Sequence, residues 1–294
     1  PAGSIGEDYA YMGLDTCAGC GLCSTACPVG IDTGDLTRRL RARKIGSGGK
    51  RVGEWTSNNF GTVAKASRLG LSAGHLASGI LGDNFLARIS AGAWKKNMPH
   101  AGKGPAARTT DGDPVVYFPA CGGRIFGPSD AGEPQLGDVI MTLLSRAGYA
   151  PRLPKGFDQM CCGQMLASKG LPDEADSMSG ALEAALTEAS EGGRYPVIMD
   201  ASACSGRMQK YLAGRLRLYD FHEFAADALL PRLMVTKQAG PVALHVNCSV
   251  RRTGSDAKLK TVLAACVDQI IEPAGVTCCG FAGDRGFVVP ELYQ

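Results

Sequence analysis

Four cysteines crowd into one short run, Cys17-Ala-Gly-Cys20-Gly-Leu-Cys23-Ser-Thr-Ala-Cys27-Pro28. That run constrains the chain more than anything else in it. Two adjacent pairs follow far downstream, Cys161-Cys162-Gly163 and Cys278-Cys279-Gly280, within a total of 12 cysteines. Neighbouring cysteines rarely reach each other's sulfur in good disulfide geometry, so this is no disulfide scaffold. Repeated C-x2-C spacing instead places thiolates where one metal centre can collect them. The usage reads as metal thiolates in a reducing compartment.

Three thiolates spaced by two residues wrap one face of a [4Fe–4S] cubane, and its fourth thiolate must come from elsewhere. In two-cluster ferredoxins the last Cys of such a run, the one before Pro, ligates the other cluster. Cys17, Cys20 and Cys23 therefore read as one ligand set, with Cys27 as the residue before Pro28. Zinc is the main competitor, but a tetrahedral structural site usually draws two pairs from separated knuckles. The missing ligand comes either from a second run upstream of Pro1 or from a distant cysteine.

The pairs carry a second signal. Cys121 precedes Cys161-Cys162, and Cys204 follows; each lies where a strand or its following loop ends, the edge at which open α/β sheets place ligands. Glycine after the pair lets backbone pass close to a bulky group. Four converging thiolates suffice for a cluster; four buried structural cysteines are the alternative. The later segment offers Cys248, Cys278 and Cys279. Arginine recurs three residues after a cysteine in Cys121-Gly-Gly-Arg124, Cys204-Ser-Gly-Arg207 and Cys248-Ser-Val-Arg251. A guanidinium there favours thiolate or holds an anion, unless these are surface arginines in loops. Cys266 falls on the Leu259, Val262, Leu263 face of a helix and is expected in the core.

At 294 residues the chain is long enough for about two cores. Its 31 Lys+Arg against 28 Asp+Glu leave no basic field for nucleic acid. In the apolar middle of the chain the longest stretch without a charge, 69–82, is 14 residues and contains His75. That is short of the roughly 20 a spanning helix needs, so Gly70 and Gly74 are expected to mark a close helix contact inside the protein.

Residues 1–108 read as mostly helical, with Thr33 as an N-cap, Leu36 and Leu40 on the helix after it, and a long helix or helix pair over 55–95. Residues 97–114 read as a linker. Strand–helix alternation follows, with strands at 114–119, 195–200 and 241–246 and helices at 136–148 and 172–189, which implies parallel βαβ units. Pro114-Val-Val-Tyr-Phe-Pro-Ala-Cys121 matches Pro241-Val-Ala-Leu-His-Val-Asn-Cys248, each leading to a Cys-Cys-Gly triplet, so two related units stand in tandem. The expected fold is α+β: a helical ferredoxin-like domain over 1–108, a first α/β cysteine-rich unit over 109–238, and a second, shortened one over 239–294. Both chain ends are expected to be truncated.

His75, His100, His222 and His245 are isolated, and His245 is expected to be a satisfied core histidine. Gly46-Ser-Gly-Gly-Lys50 follows no strand and lacks Ser or Thr after the Lys, so it is neither dinucleotide fingerprint nor P-loop. Asp284-Arg285 is expected to form a salt bridge or a functional contact. No nucleophile–base constellation is evident, and no residue is assigned as catalytic.

Tandem Cys-Cys-Gly units resemble the cysteine-rich domain of heterodisulfide reductase, glycolate oxidase and anaerobic glycerol-3-phosphate dehydrogenase iron–sulfur subunits. The chain is more similar to the C-terminal half of bacterial FAD-and-iron–sulfur D-lactate (D-2-hydroxyacid) dehydrogenases. Gly21-Leu-Cys-Ser-Thr-Ala-Cys-Pro-Val-Gly-Ile-Asp-Thr-Gly34, Val115-Val-Tyr-Phe-Pro119, Glu188-Ala-Ser-Glu-Gly-Gly193 and Cys278-Cys-Gly-Phe-Ala-Gly-Asp-Arg-Gly286 carry that likeness. It implies an FAD domain, preceding Pro1 or on a partner subunit, that oxidises a D-2-hydroxyacid. Electrons would then pass singly through [4Fe–4S] clusters in this chain to a quinone or cytochrome.

The implied metal ligands are Cys17, Cys20, Cys23, Cys27, Cys121, Cys161, Cys162 and Cys204, with Cys248, Cys278 and Cys279 after them. The implied location is cytoplasmic, with peripheral attachment at the inner face of the cell membrane compatible with it. Arg207 stands where heterodisulfide reductase-type units carry a last Cys, which counts against a five-thiolate noncubane cluster. Cys20 completes a run that relatives often leave incomplete. Two other classes stay open: a thiol–disulfide reductase working through the first Cys-Cys-Gly unit, and a zinc-stapled interaction protein.

Overall fold

The computed structural model describes residues 8–90, 94–95, 97–108, 110–130, 132–276, 278–280, 282–287 and 289–292. The fold is α+β, and the apolar run Val115–Phe118 forms its most deeply buried strand. Strand β1 (Asp113–Phe118) pairs in parallel with β2 (Tyr149–Arg152) on one side and β3 (Val197–Met199) on the other, and β4 (Leu218–Asp220) completes the order β2-β1-β3-β4. Val115, Val116, Tyr117 and Phe118 have no exposed surface, which is why β1 reads as a continuous rather than alternating apolar run. The helix Leu136–Arg146 buries Ile140, Met141 and Leu144, and the helix Pro172–Ala189 buries Met178, Leu182 and Leu186. Gly192 and Gly193, both at positive φ, follow the second of these.

A second, smaller sheet pairs β5 (Gln238–Ala243) with β6 (Val267–Ile271), again in parallel. Its core is Leu244, Val246 and Val250 against Leu259, Leu263 and Ile270. His245 falls between Leu244 and Val246 and is exposed, so it is not the core histidine the sequence led us to expect. His245 lies past the end of β5, where Leu244 and Val246 turn inward and His245 turns to solvent.

The chain packs into two compact units that interleave along the sequence. One comprises Pro1–Glu54, Gly163–Ser177 and Asp220–Gln294; the other comprises Trp55–Cys162 and Met178–Tyr219.

The helical region shows several departures from expectation. The helix Ser47–Asn58 runs through the glycine-rich 46–50 segment, Phe60–Leu81 follows, and Asp83–Ile89 is a separate short helix; residues 91–93 lie outside the described residues. A Cβ on Gly74 would lie 2.2 Å from the Trp94 ring, so Gly74 marks the expected close contact, whereas Gly70 faces open space. Residues 98–105 are no free linker. Gly102 donates to Ile125 O (2.8 Å), Gly127 donates to His100 O (2.7 Å), and Ala101 bridges Phe126. Cys266 ends the helix Asp256–Cys266 half-buried rather than in the core. No helix among the described residues is long and apolar enough to cross a membrane.

Candidate metal centre

None of the 12 cysteines is in a disulfide. In the unit that holds the run, the helix Thr33–Lys44 positions it. That helix buries Gly34, Thr37 and Arg41, while Leu36 is 49% exposed, the reverse of an ordinary apolar face. Arg41 Nε donates to Leu14 O (3.0 Å), and Nη2 donates to Leu14 O and Cys17 O (2.6 Å each). Its Nη1 donates to Ser168 O (2.8 Å). Arg38 Nη1 donates to Gly19 O. Two guanidiniums thus satisfy the carbonyls of the Cys17–Cys20 loop, which a leucine face would leave unpaired.

The sulfurs accept backbone hydrogen bonds. Gly19 N–H lies 3.2 Å from Cys17 Sγ, and Thr33 N–H lies 3.2 Å from Cys23 Sγ. The N-cap is Asp32, one residue before the expected Thr33, and its carboxylate accepts from Asp35 N (3.0 Å). N–H groups of Ile31, Val29 and Gly30 hold the Cys27 thiol below its ordinary pKa.

The second Cys-Cys-Gly segment belongs to the same unit. Cys20 lies beside Cys248 and, with help from Ser249 and against burial, holds the Cys248 thiol well below its ordinary pKa. Cys278 and Cys279 are exposed, and Gly280 N–H lies 3.4 Å from Cys278 Sγ. Asp284 forms an ion pair with Lys169.

The first Cys-Cys-Gly segment lies in the other unit. Cys121 opens the helix Cys121–Ile125 after β1, Cys161-Cys162 end the loop after β2, and Cys204 sits in the first turn of the helix Ser202–Leu212 after β3. All four thus come from connections that follow the carboxyl ends of adjacent parallel strands, the edge at which such sheets place ligands. Cys121 Sγ and Cys161 Sγ are 3.6 Å apart, and Cys161, Cys162 and Cys204 are buried. The hydrogen bond to Cys161 and burial push the Cys121 thiol up, and the Arg124 guanidinium opposes them.

The three arginines are not loose surface groups. Arg124 is 1% exposed; its Nε donates to Pro119 O (3.0 Å) and its Nη2 to Met160 O. Arg251 Nε donates to Val246 O (3.1 Å). In each repeat, then, an arginine three residues after the cysteine bonds the carbonyl two residues before it, locking the short helix onto the strand end. Arg207 Nε donates to Cys162 O (2.7 Å) and Ser179 Oγ (3.1 Å), so it clamps the cysteine loop from the position a last Cys would take.

Sequence reasoning missed two groups. Asp200, half-buried at the end of the Val197-Ile-Met strand, accepts from Tyr117 OH and Ala120 N (2.7 Å each), and desolvation raises its pKa. An acid closing an apolar strand was the available signal. Asp220, His222 and Ser255 form a chain, His222 Nδ1 at 2.7 Å from Asp220 Oδ1 and Nε2 at 2.8 Å from Ser255 Oγ. The three are 5–8% exposed, so this nucleophile–base pattern is sealed from substrate and serves the core. His75 and His100 stack at 4.1 Å, and His75 Nε2 is 3.1 Å from Pro99 O.

Among the described residues no three His, Cys, Asp or Glu side chains converge on a single ion position. Free thiols, backbone N–H donors at sulfur and arginine-clamped loops fit an iron–sulfur group, which spreads its thiolates over several irons.

Buried parallel strands with cysteines at their carboxyl ends define a cysteine-rich domain of redox type. Residues 115–209 match the family model of that description, the CCG cysteine-rich domain, which is consistent with the Cys-Cys-Gly region of iron–sulfur oxidoreductases. No curated protein and no solved structure was found to match the chain.

Proposed function

We propose that this chain is the iron–sulfur electron-transfer module of a flavin-linked D-2-hydroxyacid (D-lactate-type) dehydrogenase. It would take electrons from FAD on a preceding domain or partner subunit and deliver them to a quinone or cytochrome. The functional division is 1–108, 109–238 and 239–294. The observation that carries the reading is a complete Cys17–Cys27 run, its sulfurs met by backbone N–H groups, in a chain that also carries a matched cysteine-rich domain.

Cys17, Cys20 and Cys23 would hold one [4Fe–4S] cluster, and Cys27 would serve its neighbour. Cys121, Cys161, Cys162 and Cys204 would form the set in the first Cys-Cys-Gly unit, and Cys248, Cys278 and Cys279 add thiolates from the second. A bound cluster supplies one-electron oxidation and reduction. The protein's part would be to present each sulfur to the cluster and keep its loop fixed. Arg38 and Arg41 fix the run's carbonyls, and Arg124 and Arg207 fix the loop that ends in Cys161-Cys162. N–H donors at sulfur favour the anionic form and set the potential.

In the holoenzyme with its flavin domain, Cys23→Ser should abolish reduction of the terminal acceptor while substrate still bleaches the flavin. Acceptor reduction at the parent rate refutes the relay. The 3.6 Å contact of Cys121 and Cys161 favours a second reading, a heterodisulfide reductase-like thiol–disulfide reductase. The clamp role of Arg207 in place of a fifth thiolate counts against it. Absence of disulfide turnover with a low-potential donor removes it.

A further inference from the structure

In the first repeat, the cysteine that opens the helix after the strand meets its own Cys-Cys pair: Cys121 lies 3.6 Å from Cys161. Cys248 holds the equivalent place, first residue of the helix Cys248–Thr253, with its Arg251 bonded as Arg124 is. Yet that helix packs against the short helix Leu22–Ala26 of the run, which brings Cys248 beside Cys20. The backbone agrees with this partnering. Gly21 sits at φ +79°, and a Cβ there would lie 3.1 Å from Arg252 Cδ, so the short helix is seated directly on the Cys20–Leu22 loop. Farther along, a Cβ on Gly283 would be 3.9 Å from the Ala18 Cβ, which lays the segment after Cys278-Cys279 beside the same loop. Lys169–Asp284 and the Arg41 contacts tie these segments into one unit.

We infer that Cys248 is the fourth thiolate of the Cys17, Cys20, Cys23 set, so that the run and the second Cys-Cys-Gly segment share one cluster. This rests on the iron–sulfur reading above and supplies the ligand the run lacks. Cys27, held by the N–H groups of its own following loop, is left for another centre. Each thiol loses its proton to solvent as its sulfur binds iron, with no change in sulfur oxidation state. The second repeat is thereby diverted: its lead cysteine serves the ferredoxin-type site, and Cys278 and Cys279 remain at the surface.

The test is thiol protection. The chain is reconstituted anaerobically with ferrous iron and sulfide, labelled with iodoacetamide and mapped by mass spectrometry. Cys17, Cys20, Cys23 and Cys248 should be protected together. In the triple variant Cys17→Ala, Cys20→Ala, Cys23→Ala, Cys248 should label as fully as in iron-free chain, while Cys161 labelling stays at its parent level. Protection of Cys248 persisting in the triple variant overturns the sharing, as does free labelling of Cys248 in the loaded parent. A second readout needs one substitution: Cys248→Ala should lose about one iron in four and gain an oxidised-state three-iron EPR signal, with Cys248→Ser as the closer isostere. Unchanged iron and EPR also overturn it. If Cys17, Cys20 and Cys23 label in the reconstituted parent as in iron-free chain, the iron–sulfur reading itself has failed, and the inference with it.

Discussion

Arg124 and Arg251 occupy the same place in the two repeats but differ in what they hold, so the pair forms an internal control. Arg124 is buried, bonds two carbonyls, and lies 5.4 Å and 5.9 Å from the ring centres of Phe118 and Phe157. Arg124→Met removes the charge yet keeps much of the volume. It leaves Pro119 O and Met160 O without donors, at about 1–3 kcal/mol each, and forfeits a stacking contribution of about 1 kcal/mol. The expected loss is about 3–7 kcal/mol. Arg251→Met orphans a single carbonyl and should cost about 1 kcal/mol. With a urea slope of about 2–3 kcal/mol/M, the first variant should shift the unfolding midpoint by about 1–3.5 M and the second by about 0.3–0.5 M. Far-UV circular dichroism across a urea series on the iron-free chain reads both. Equal shifts, or a loss below about 1 kcal/mol for Arg124→Met, would refute the clamp reasoning.

Gly163→Ala should destabilise by more than about 2 kcal/mol, because φ is +81° and the new Cβ would lie 2.3 Å from Ala175 O; an unchanged melting temperature contradicts this. Gly74→Ala should cost about 1–3 kcal/mol against the Trp94 ring, whereas Gly70→Ala, facing open space on the same helix, should stabilise by up to about 1 kcal/mol. The His222 pKa is raised: burial lowers it, but the hydrogen bond and charge of Asp220 outweigh that. Its charge-linked contribution is therefore full below the ordinary value of 6.5 and is lost as pH rises through the folded value. The stability gap between parent and His222→Gln in urea should accordingly be wider at pH 6 than at pH 8; a gap that does not narrow refutes it.

The strands were legible because buried parallel strands leave unbroken apolar runs. Val115-Val-Tyr-Phe118 and Val197-Ile-Met199 both lie where pattern places them. The glycine stops at 192–193 and the proline start at 172 were equally readable, since each reflects a local backbone requirement. The helix Thr33–Lys44 was not, because its inward face is chosen by the carbonyls of a distant loop, so Arg41 is buried where periodicity favours Leu36 and Leu40. Residues 98–105 look like a linker by composition; their backbone pairs with the segment after Cys121, a long-range partner that composition cannot register. The meeting of Cys20 with Cys248 and the Asp220–His222–Ser255 chain likewise depend on which segments the fold brings together.

The central claim is that these thiols hold iron–sulfur clusters, and it is tested most directly by anaerobic purification with iron, acid-labile sulfide and zinc counted together. EPR is recorded before and after dithionite. The account predicts at least about four irons per chain with matching sulfide, and a paramagnetic signal that appears on reduction. A colourless chain with stoichiometric zinc and no sulfide would contradict it.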